Sequence, residues 1–362
     1  MYTQKDKKPL VQSDEEILKL CVTGLTHSHV HQLFNSVIER GDIEIIGITE
    51  PNQELAKSYC LQYGFDINIV FNDIESMLNS CFPEAIVAFG SIYQHLEVVQ
   101  AAAPRGIHVM VEKPLAVSLE HAQQMCDLAT KHNIYLLTNY ETTWYQSNYE
   151  AKEILESGII GPLRKAIICD GHIGPTKLGV NTEFLDWLTD EKQNGGGAIM
   201  DFGCYGVNLM TWLMNGEKPI SVTATTQKLQ PTNYPNVDDE SLIVLSYKNA
   251  NAVVLGSWNW PLPRKDMELF GTLGTVNAIN KEHIDISYID GQDIHSDIKH
   301  KSLNLNNLVP PYDEPFSYFK AVIRQNIRIK KYDLSSLENN MQVVEILDAA
   351  RKSAYAGKTV FL

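Results

Sequence analysis

The feature that most constrains the fold is an alternation, over the first 140 residues, of short apolar runs with stretches of helical periodicity. Strands that alternate with helices form βαβ units, in which a parallel sheet is covered by helices on both faces. Ligands of such sheets bind at the carboxyl ends of the strands, where the strand order reverses. The predicted strands are 17–22, 44–49, 85–89, 107–111 and 134–138, with helices at 30–38, 53–63, 97–103 and 119–131.

After about residue 145 the pattern changes to longer β-type segments joined by turns. Long strands in succession are typical of an antiparallel sheet, and residues 247–251 are predicted to form a hairpin turn. A closing helix is predicted over 337–356, with Ser335 and Glu338 as a capping box at its start and Gly357 at its end. The predicted strands are 163–169, 220–229, 241–247, 252–258 and 267–270, after a helix at 148–156.

These patterns predict an α/β protein of two domains that follow a polar N-terminal segment at 1–16. Residues 17–140 are predicted to form a Rossmann domain with a parallel sheet. Residues 141–362 are predicted to form a second domain around the mainly antiparallel sheet. We expect helix 337–356 to pack back toward the Rossmann domain.

Charge and cysteine usage exclude several classes of function. The net charge of -14 argues against nucleic acid and against anionic membranes, since Lys/Arg-rich surfaces bind both. The six cysteines are scattered without close pairs, which is typical of reduced thiols in a cytoplasmic protein. No run approaches the roughly 18 apolar residues of a membrane span. The expected partner is a small molecule.

The turn after the first predicted strand has the position of a dinucleotide-binding loop but few of its glycines. A G-x-G-x-x-G loop lets the backbone approach a pyrophosphate at a helix N-terminus. Here only Gly24 is present, with Thr26 and His29 at the other two glycine positions. Glu50 ends the second predicted strand, where a carboxylate can accept hydrogen bonds from the adenosine ribose and repel a 2′-phosphate. We therefore expect NAD rather than NADP.

His27, His29 and His31 open an alternative interpretation of the same turn. An H-x-H pair after a first strand also resembles the metal ligands of metal-dependent amidohydrolases. A metal site needs further ligands at later strand ends, and His95 is the only good candidate in this part of the sequence. The pattern also falls short of the eight strands of a (β/α)8 barrel. We expect no metal, and we place these imidazoles beside a cofactor.

Glu112, Lys113 and Pro114 follow directly on the predicted strand 107–111, hence at the carboxyl edge of the sheet. A lysine at that edge, near a nicotinamide, can hydrogen-bond the substrate hydroxyl and lower the pKa of an adjacent acid–base group. The proline restricts Lys113 to an extended conformation. An isolated tripeptide of this kind is more often an ordinary strand exit with a solvated lysine, so the interpretation needs a second motif.

The second motif lies about 85 residues further on, and with it the chain resembles the Gfo/Idh/MocA oxidoreductase family. That resemblance implies a Rossmann domain followed by an α/β domain whose large open sheet carries the substrate and the subunit interface. It also implies redox chemistry on a secondary alcohol of a sugar, inositol or related polyol with NAD(H) or NADP(H). The matching stretches are 24–31, GITEPN at 47–52, GIHVMVEKPLA at 106–116 and GGGAIMDFGCY at 195–205.

Position by position, the resemblance assigns catalytic roles to Lys113, Asp201 and Tyr205. Lys113 would polarise the substrate and Asp201 would contact its hydroxyls. Tyr205 stands where the family commonly has a histidine as acid–base catalyst, and we expect Lys113 to lower its pKa from about 10. Asn208 replaces the family's second aspartate, whose role is therefore open. Cofactor contacts are predicted for Gly24, Thr26, His27, His29, Glu50, Ser91, His95, Glu112 and Lys113, and substrate contacts for Glu141, Trp144, His172 and Trp187.

The favoured function is reversible hydride transfer between NAD and a carbohydrate-like secondary alcohol, with Tyr205 taking the hydroxyl proton. Two alternatives of other classes remain. One is an NAD-dependent glycosidase, which oxidises a sugar transiently, eliminates the aglycone and reduces the sugar again. The other is a non-catalytic sugar or dinucleotide sensor of the same fold. The resemblance also implies a homodimer or homotetramer assembled through the C-terminal sheet.

Overall fold

The computed structural model describes residues 17–291 and 297–362, so the predicted polar segment 1–16 lies outside the described residues. Its first domain is a parallel six-stranded sheet in the order β3-β2-β1-β4-β5-β6, which confirms the predicted Rossmann topology. The strands are β1 (Leu18–Thr23), β2 (Ile43–Thr49), β3 (Val70–Phe71), β4 (Ala85–Ala88), β5 (His108–Glu112) and β6 (Leu136–Asn139). The helices are α1 (Val30–Glu39), α2 (Gln53–Tyr63), α3 (Ile74–Ser80), α4 (His95–Ala102) and α5 (Leu119–His132).

The second domain is built on a nine-stranded sheet in the order β14-β13-β12-β11-β7-β10-β9-β8-β15. All of its pairings are antiparallel except the central pair β7 and β10, so the prediction of a mainly antiparallel sheet is confirmed. The strands are β7 (Leu163–Gly171), β8 (Ser221–Gln227), β9 (Glu240–Ser246), β10 (Asn251–Ser257), β11 (Arg264–Gly271), β12 (Gly274–Ala278), β13 (His283–Ile289), β14 (Ile298–Asn304) and β15 (Val360–Phe361). The helices are α6 (Gln146–Ser157), α7 (Pro175–Leu178), α8 (Thr182–Leu188), α9 (Glu191–Asn194), α10 (Ala198–Asp201), α11 (Gly203–Leu213), α12 (Pro315–Ile323) and α13 (Leu337–Ala356).

Close packing of α11 on the second sheet fixes the position of the predicted catalytic motif. Every residue of α11 is buried. A Cβ on Gly206 would lie 2.5 Å from Cγ1 of Val254, so only glycine lets the helix approach β10 this closely. The short helix α10, which ends at Asp201, is held by Asp238, whose carboxylate accepts hydrogen bonds from the N–H groups of Gly197 and Ile199 at 2.8 Å each.

Helices from the C-terminal part of the chain join the two domains. In α13, Val344 packs in the core beside α4 and α5, while Val343 and Ile346 pack in the core of the second domain. In α12, Phe316 and Phe319 pack on the other face of the first sheet. The prediction placed the whole of 141–362 in a separate domain. Helix α12 differs from this prediction because its apolar face packs on the parallel sheet of the first domain and completes its cover.

One detail of the predicted closing helix is wrong. The N-cap of α13 is Ser336, whose side chain accepts a hydrogen bond from the N–H of Asn339 at 3.2 Å, and not Ser335. Ser336 has the extended backbone that an N-cap requires, with φ -67° and ψ 151°. Gly357 ends the helix in the left-handed conformation, with φ 61°, as predicted.

None of the helices in the described residues is both long enough and apolar enough to cross a membrane.

Candidate active site

A cleft opens at the carboxyl ends of β1, β2 and β4, where the strand order of the parallel sheet reverses. Gly24 lies in this cleft with φ +76°, and a Cβ on it would meet the backbone nitrogen of Gly90 at 2.6 Å. The loops after β1 and β4 therefore contact each other through glycine backbones, so at this point no side chain projects from the wall of the cleft. The lining residues include Thr23, Gly24, Thr26, Thr49, Glu50, Gly90, Gln94 and His95. This shape and position fit a dinucleotide.

Besides the predicted contact with a ribose, Glu50 has a structural role in the loop after β1. It is buried at the end of β2, and burial raises the pKa of its carboxyl. Its Oε2 accepts a hydrogen bond from the N–H of Leu25 at 2.9 Å, and its Oε1 accepts one from Asn52 at 2.8 Å. The carboxylate thus fixes the loop after β1 at the point where the glycine fingerprint is incomplete.

The histidines of this loop are tied to neighbouring groups. His29 Nδ1 lies 2.9 Å from Oε2 of Glu112, and Asn139 donates a hydrogen bond to Glu112 Oε1 at 2.8 Å. Burial alone would raise the pKa of Glu112, but the neighbouring His29 lowers it to about 2. His31 points to Tyr59, with its Nε2 3.1 Å from the phenol oxygen. The predicted cofactor residues His29 and Glu112 therefore form a pair in which Glu112 is buried and His29 is half-buried.

His27, His29 and Glu112 bring potential metal-ligand atoms within 4.8 Å of one another. The hydrogen bonds do not suit a metal. His27 Nδ1 accepts a hydrogen bond from the N–H of His29 at 3.1 Å, and burial lowers the pKa of His27 well below its usual value. The neutral ring then carries its proton on Nε2, so a metal at Nε2 would require the other tautomer and the loss of that hydrogen bond. We assign the cluster to the support of the loop.

Lys113 and Asp201 come together from the two domains. Lys113 Nζ donates one hydrogen bond to the backbone oxygen of Asp201 at 2.9 Å and a second to its carboxylate Oδ1. Trp258 Nε1 donates to Oδ2 of the same carboxylate at 2.9 Å. Burial alone would lower the pKa of Lys113, but the Asp201 carboxylate raises it above its ordinary value. The ammonium is therefore held charged at the carboxyl end of β5.

Tyr205 lies beside this pair on the first turn of α11. Its ring centre is 5.1 Å from Nζ of Lys113 and 4.8 Å from Nζ of Lys265. The expectation that Lys113 lowers the pKa of Tyr205 is wrong: burial raises that pKa well above 10, and the acids Glu141 and Asp170 add to the effect. The physical reason is that Lys113 is already paired with Asp201. At neutral pH the phenol keeps its proton.

Two further ionisable residues, Lys265 and Asp170, complete the cluster that Lys113, Asp201 and Tyr205 form, and the sequence analysis did not single out either. Lys265 on β11 forms an ion pair with Glu141, whose Oε1 also accepts a hydrogen bond from the Tyr145 hydroxyl at 2.6 Å. Asp170, buried on β7, lies opposite Lys265 in the sheet register. An aspartate at the end of the apolar run Ala166–Cys169 was a signal that could have identified it.

The remaining predicted substrate residues have different surroundings. His172 is half-buried, accepts a hydrogen bond from Gly174 N–H at its Nδ1 (2.9 Å), and meets the ring of Phe202 edge-on at 4.7 Å, beside Asp201. Trp144 donates its indole N–H to Asn139 at 3.0 Å and packs on Tyr318. Trp144 therefore contacts mainly protein side chains, although it also lines a cleft that contains His29 and Glu141.

Short helices of the second domain cover the cofactor loop. Trp187 donates its indole N–H to Oγ1 of Thr26 at 3.0 Å, and its ring lies 5.8 Å from that of His27. Ser91, after β4, donates its hydroxyl to Gln193 at 2.7 Å. The structure thus places Trp187 against the predicted cofactor residues and away from the predicted position beside a sugar, because α8 packs over the loop after β1.

His95 lies at the start of α4, on the wall of the cleft. It is fully buried, and its Nδ1 lies 3.1 Å from the backbone oxygen of Leu115. Among the described residues its Nε2 has no hydrogen-bond partner. Burial lowers the pKa of His95 to about 4, so the ring is neutral and offers one unpaired nitrogen at the predicted cofactor position.

Comparison with known proteins agrees with this geometry. The family model described as an oxidoreductase family with an NAD-binding Rossmann fold matches residues 19–140. The model for the GFO/IDH/MocA C-terminal domain matches residues 149–277. Together the two matches cover most of both domains.

Individual relatives match over nearly the whole chain. A trans-1,2-dihydrobenzene-1,2-diol dehydrogenase of Xenopus tropicalis is 26% identical over 87% of this chain and 91% of its own length. An NADP-dependent scyllo-inositol 2-dehydrogenase of Bacillus subtilis is 24% identical over 93% of this chain and 97% of its own. The fold is similar to that of an aldose-aldose oxidoreductase from Caulobacter crescentus, with a TM-score of 0.77 at 19% identity over 96% of this chain and 100% of the other. This chain belongs to the Gfo/Idh/MocA family of oxidoreductases.

Proposed function

We propose that the protein is an NAD-dependent dehydrogenase that acts on a secondary hydroxyl of a sugar, inositol or related polyol. The observation that carries the proposal is the buried pair of Lys113 and Asp201 beside the protonated phenol of Tyr205. Lys113 follows β5, the neighbour of strand β4, which ends in the cleft. A charged ammonium stabilises the substrate oxygen, and a phenol supplies the proton that a carbonyl needs in reduction, while its phenolate form accepts the proton that a carbinol loses in oxidation.

The cleft supports NAD as the cofactor. Gly24, Thr26, Glu50 and His95 line it and would hold the dinucleotide. Among the described residues that line the cleft there is no lysine or arginine to bind a 2′-phosphate, whereas Glu50, Asp73 and Glu97 are acidic. A bound nicotinamide supplies the hydride chemistry; the protein supplies position and charge.

The residues of the cluster divide the work of proton transfer. An ammonium has three N–H groups, and Lys113 commits two of them to Asp201, so one remains for the substrate oxygen. That hydrogen bond orients the substrate and stabilises negative charge on its oxygen. Tyr205 donates its proton to the oxygen in carbonyl reduction, and its phenolate form receives one in alcohol oxidation. Asp201 keeps Lys113 in place and charged.

The names of the relatives support a polyol-like substrate. The diol dehydrogenase and the inositol dehydrogenase both act, by name, on ring carbons that bear hydroxyls. Two further clefts lead toward the cluster and share Glu141 and Tyr145 in their walls. Both residues carry polar groups that suit hydroxyls. We propose Glu141 and His172 as substrate contacts.

The outer face of the second sheet supports a homodimer or homotetramer. Helices α6 and α11 pack against the sheet from one side, and on its other side Ile167, Val244, Val253 and Leu255 are only half-buried. The register places Val253 directly between Ile167 and Val244. An apolar patch of this kind is typical of a subunit interface. Light scattering on the wild type and on Val253→Asp tests it: we expect an oligomer that the substitution dissociates.

The test of function is incubation of the purified protein with NAD, and in parallel NADP, and a panel of aldoses, inositols and their aryl glycosides. Absorbance of the reduced nicotinamide and product mass are followed together. We expect reduced NAD to accumulate in step with a ketone or lactone. Aglycone release without accumulation would indicate a glycosidase, and NAD binding without turnover of any compound would indicate a sensor; either outcome contradicts the proposal.

A further inference from the structure

Asp170 is the residue of the cluster that the proposed mechanism does not use. It lies on the helix-covered face of β7, in line with Ala166 and Ile168, and is 2% exposed. Its Oδ1 is buried and has no hydrogen-bond partner among the described residues. Because buried polar groups in folded proteins are almost always paired, this atom requires an explanation.

The nearby cations do not supply the missing partner. Lys265 lies opposite Asp170 in the register, but its ammonium pairs with Glu141. Lys113 is close enough to affect the charge of Asp170, but its ammonium pairs with Asp201. The fold therefore satisfies both lysines without using Asp170.

Another carboxylate of the same sheet shows what structural pairing is like in this protein. Asp239 is fully buried and accepts hydrogen bonds from Leu229 N–H at 2.8 Å, Gln230 N–H at 2.6 Å and Asn259 Nδ2 at 3.1 Å. Its role is to hold the β8–β9 connection. Asp170 makes no comparable contact, so its retention in the core has no structural reason that the described residues supply.

The chemistry of Asp170 suits a hydroxyl group. Burial raises the pKa of its carboxyl well above the ordinary value, which favours the protonated form, and that form has a hydroxyl donor beside its acceptor oxygen. A hydroxyl also has one donor and two acceptor lone pairs, and can bond with the carboxyl in both directions.

We propose that Asp170 is a specificity-determining residue that binds a second hydroxyl of the substrate, distinct from the one that faces Lys113 and Tyr205. The substrate is then a diol or polyol and not an isolated secondary alcohol. This assignment rests on the proposed function, since it needs the reacting carbon to lie beside Tyr205.

The experiment compares two variants on matched substrates. Asp170→Asn keeps one donor and one acceptor group, and Asp170→Leu keeps neither. The substrate pairs are trans-cyclohexane-1,2-diol against cyclohexanol, and D-glucose against its four monodeoxy analogues. We expect Asp170→Leu to reduce the ratio of kcat/KM for the diol to that for the mono-alcohol by about 10- to 100-fold. We expect Asp170→Asn to recover most of that ratio.

A thermal melt separates binding from a structural role. Removal of an unpaired buried carboxyl should leave the Tm of Asp170→Leu equal to or above the wild-type value, whereas Asp239→Asn, the control, should lower it. An unchanged substrate ratio in Asp170→Leu, or an equal loss on both members of a pair, would overturn the assignment while the proposed function stands. A wild type that turns over no polyol with NAD or NADP contradicts the proposed function, and the assignment with it.

Discussion

The loop after β1 and the cluster around Tyr205 both bury polar side chains, but they treat them differently. In the loop, Glu50 accepts hydrogen bonds from two backbone N–H groups and Glu112 lies against His29, so each carboxylate has a partner. In the cluster, two lysines and three acids are crowded together, and one buried carboxyl oxygen, on Asp170, has no partner among the described residues.

The difference shows what each region is built to do. A self-satisfied loop is rigid before any ligand arrives, which compensates for glycines replaced by Thr26 and His29. A cluster with an unpaired acceptor and a spare ammonium N–H is incomplete until a hydroxyl-bearing ligand enters it. The same fold therefore presents a preformed cofactor site and a substrate site that the substrate completes.

Lys113→Ala should have the largest effect, because it removes a charge that the cluster needs. We expect kcat/KM to fall by about 10³-fold, as for the loss of a positioned electrostatic group. Unfolding by urea should also show a loss of about 3–5 kcal/mol, because the Asp201 carboxylate would stay buried without its ion-pair partner. The stability control is Lys265→Ala, whose partner Glu141 is 44% exposed and whose loss should cost at most about 1 kcal/mol. Equal losses of stability in the two variants would contradict the claim that the Lys113–Asp201 pair is the more strongly buried of the two ion pairs.

The pH profile should distinguish the two regions, because only the cluster contains the group that titrates during turnover. Burial raises the pKa of Tyr205 well above 10, so the phenolate that accepts a proton in alcohol oxidation becomes more abundant throughout the usual assay range. We expect kcat/KM for oxidation to rise about tenfold per pH unit from pH 7 to 10 without a plateau, while carbonyl reduction stays level. A plateau for oxidation below pH 9 would show that another group is the base.

Glu50→Gln should weaken the cofactor site and leave the cluster intact. The amide end would place a donor against the N–H of Leu25 or Asn52, and an unmade buried hydrogen bond costs about 1–3 kcal/mol. We expect Kd for NAD to rise about tenfold with little change in kcat, measured by calorimetry and steady-state kinetics. Glu54→Gln, on the 86% exposed side chain of the following helix, is the matched control. A selective loss of kcat in Glu50→Gln would contradict the division of roles.

Trp187→Phe should have the smallest effect, since it removes only one hydrogen bond between the second domain and the loop. The ring would still pack against His27, but Thr26 would lose its donor. A neutral hydrogen bond contributes about 1 kcal/mol, so Kd for NAD should rise about fivefold. No change in Kd would show that the cover formed by α8 does not stabilise the loop.

Local pattern explains which parts of the fold the sequence could predict. Five strands of the parallel sheet are continuous apolar runs, so their predicted ends agree with the structure to within one or two residues, whereas the two-residue strand β3 was too short to be predicted. Strands β12, β13, β14 and β15 of the second sheet were not predicted. For β14 the reason is that it is exposed along its whole length and has no apolar alternation. The packing of α12 on the first sheet joins residues about 300 positions apart, such as Leu18 and Phe316, which no local pattern reveals.

For the candidate site too, sequence motifs predicted some features and not others. Lys113, Asp201 and Tyr205 could be named because their motifs resemble those of a family, and the structure brings them together. Their ionisation could not be predicted, because it depends on which acid each lysine pairs with. Lys265 illustrates this: nothing in its own strand shows that it faces Glu141, 124 residues away.

The most direct test of the central claim is Tyr205→Phe, which removes the hydroxyl and keeps the buried ring. The account predicts that kcat for the best polyol substrate falls about 10²- to 10⁴-fold, since a general acid–base group is lost. Kd for NAD and Tm should stay close to the wild-type values, because the ring still packs beside Lys113 and Tyr140. Wild-type kcat in a folded, NAD-binding Tyr205→Phe protein would show that Tyr205 does not transfer the proton.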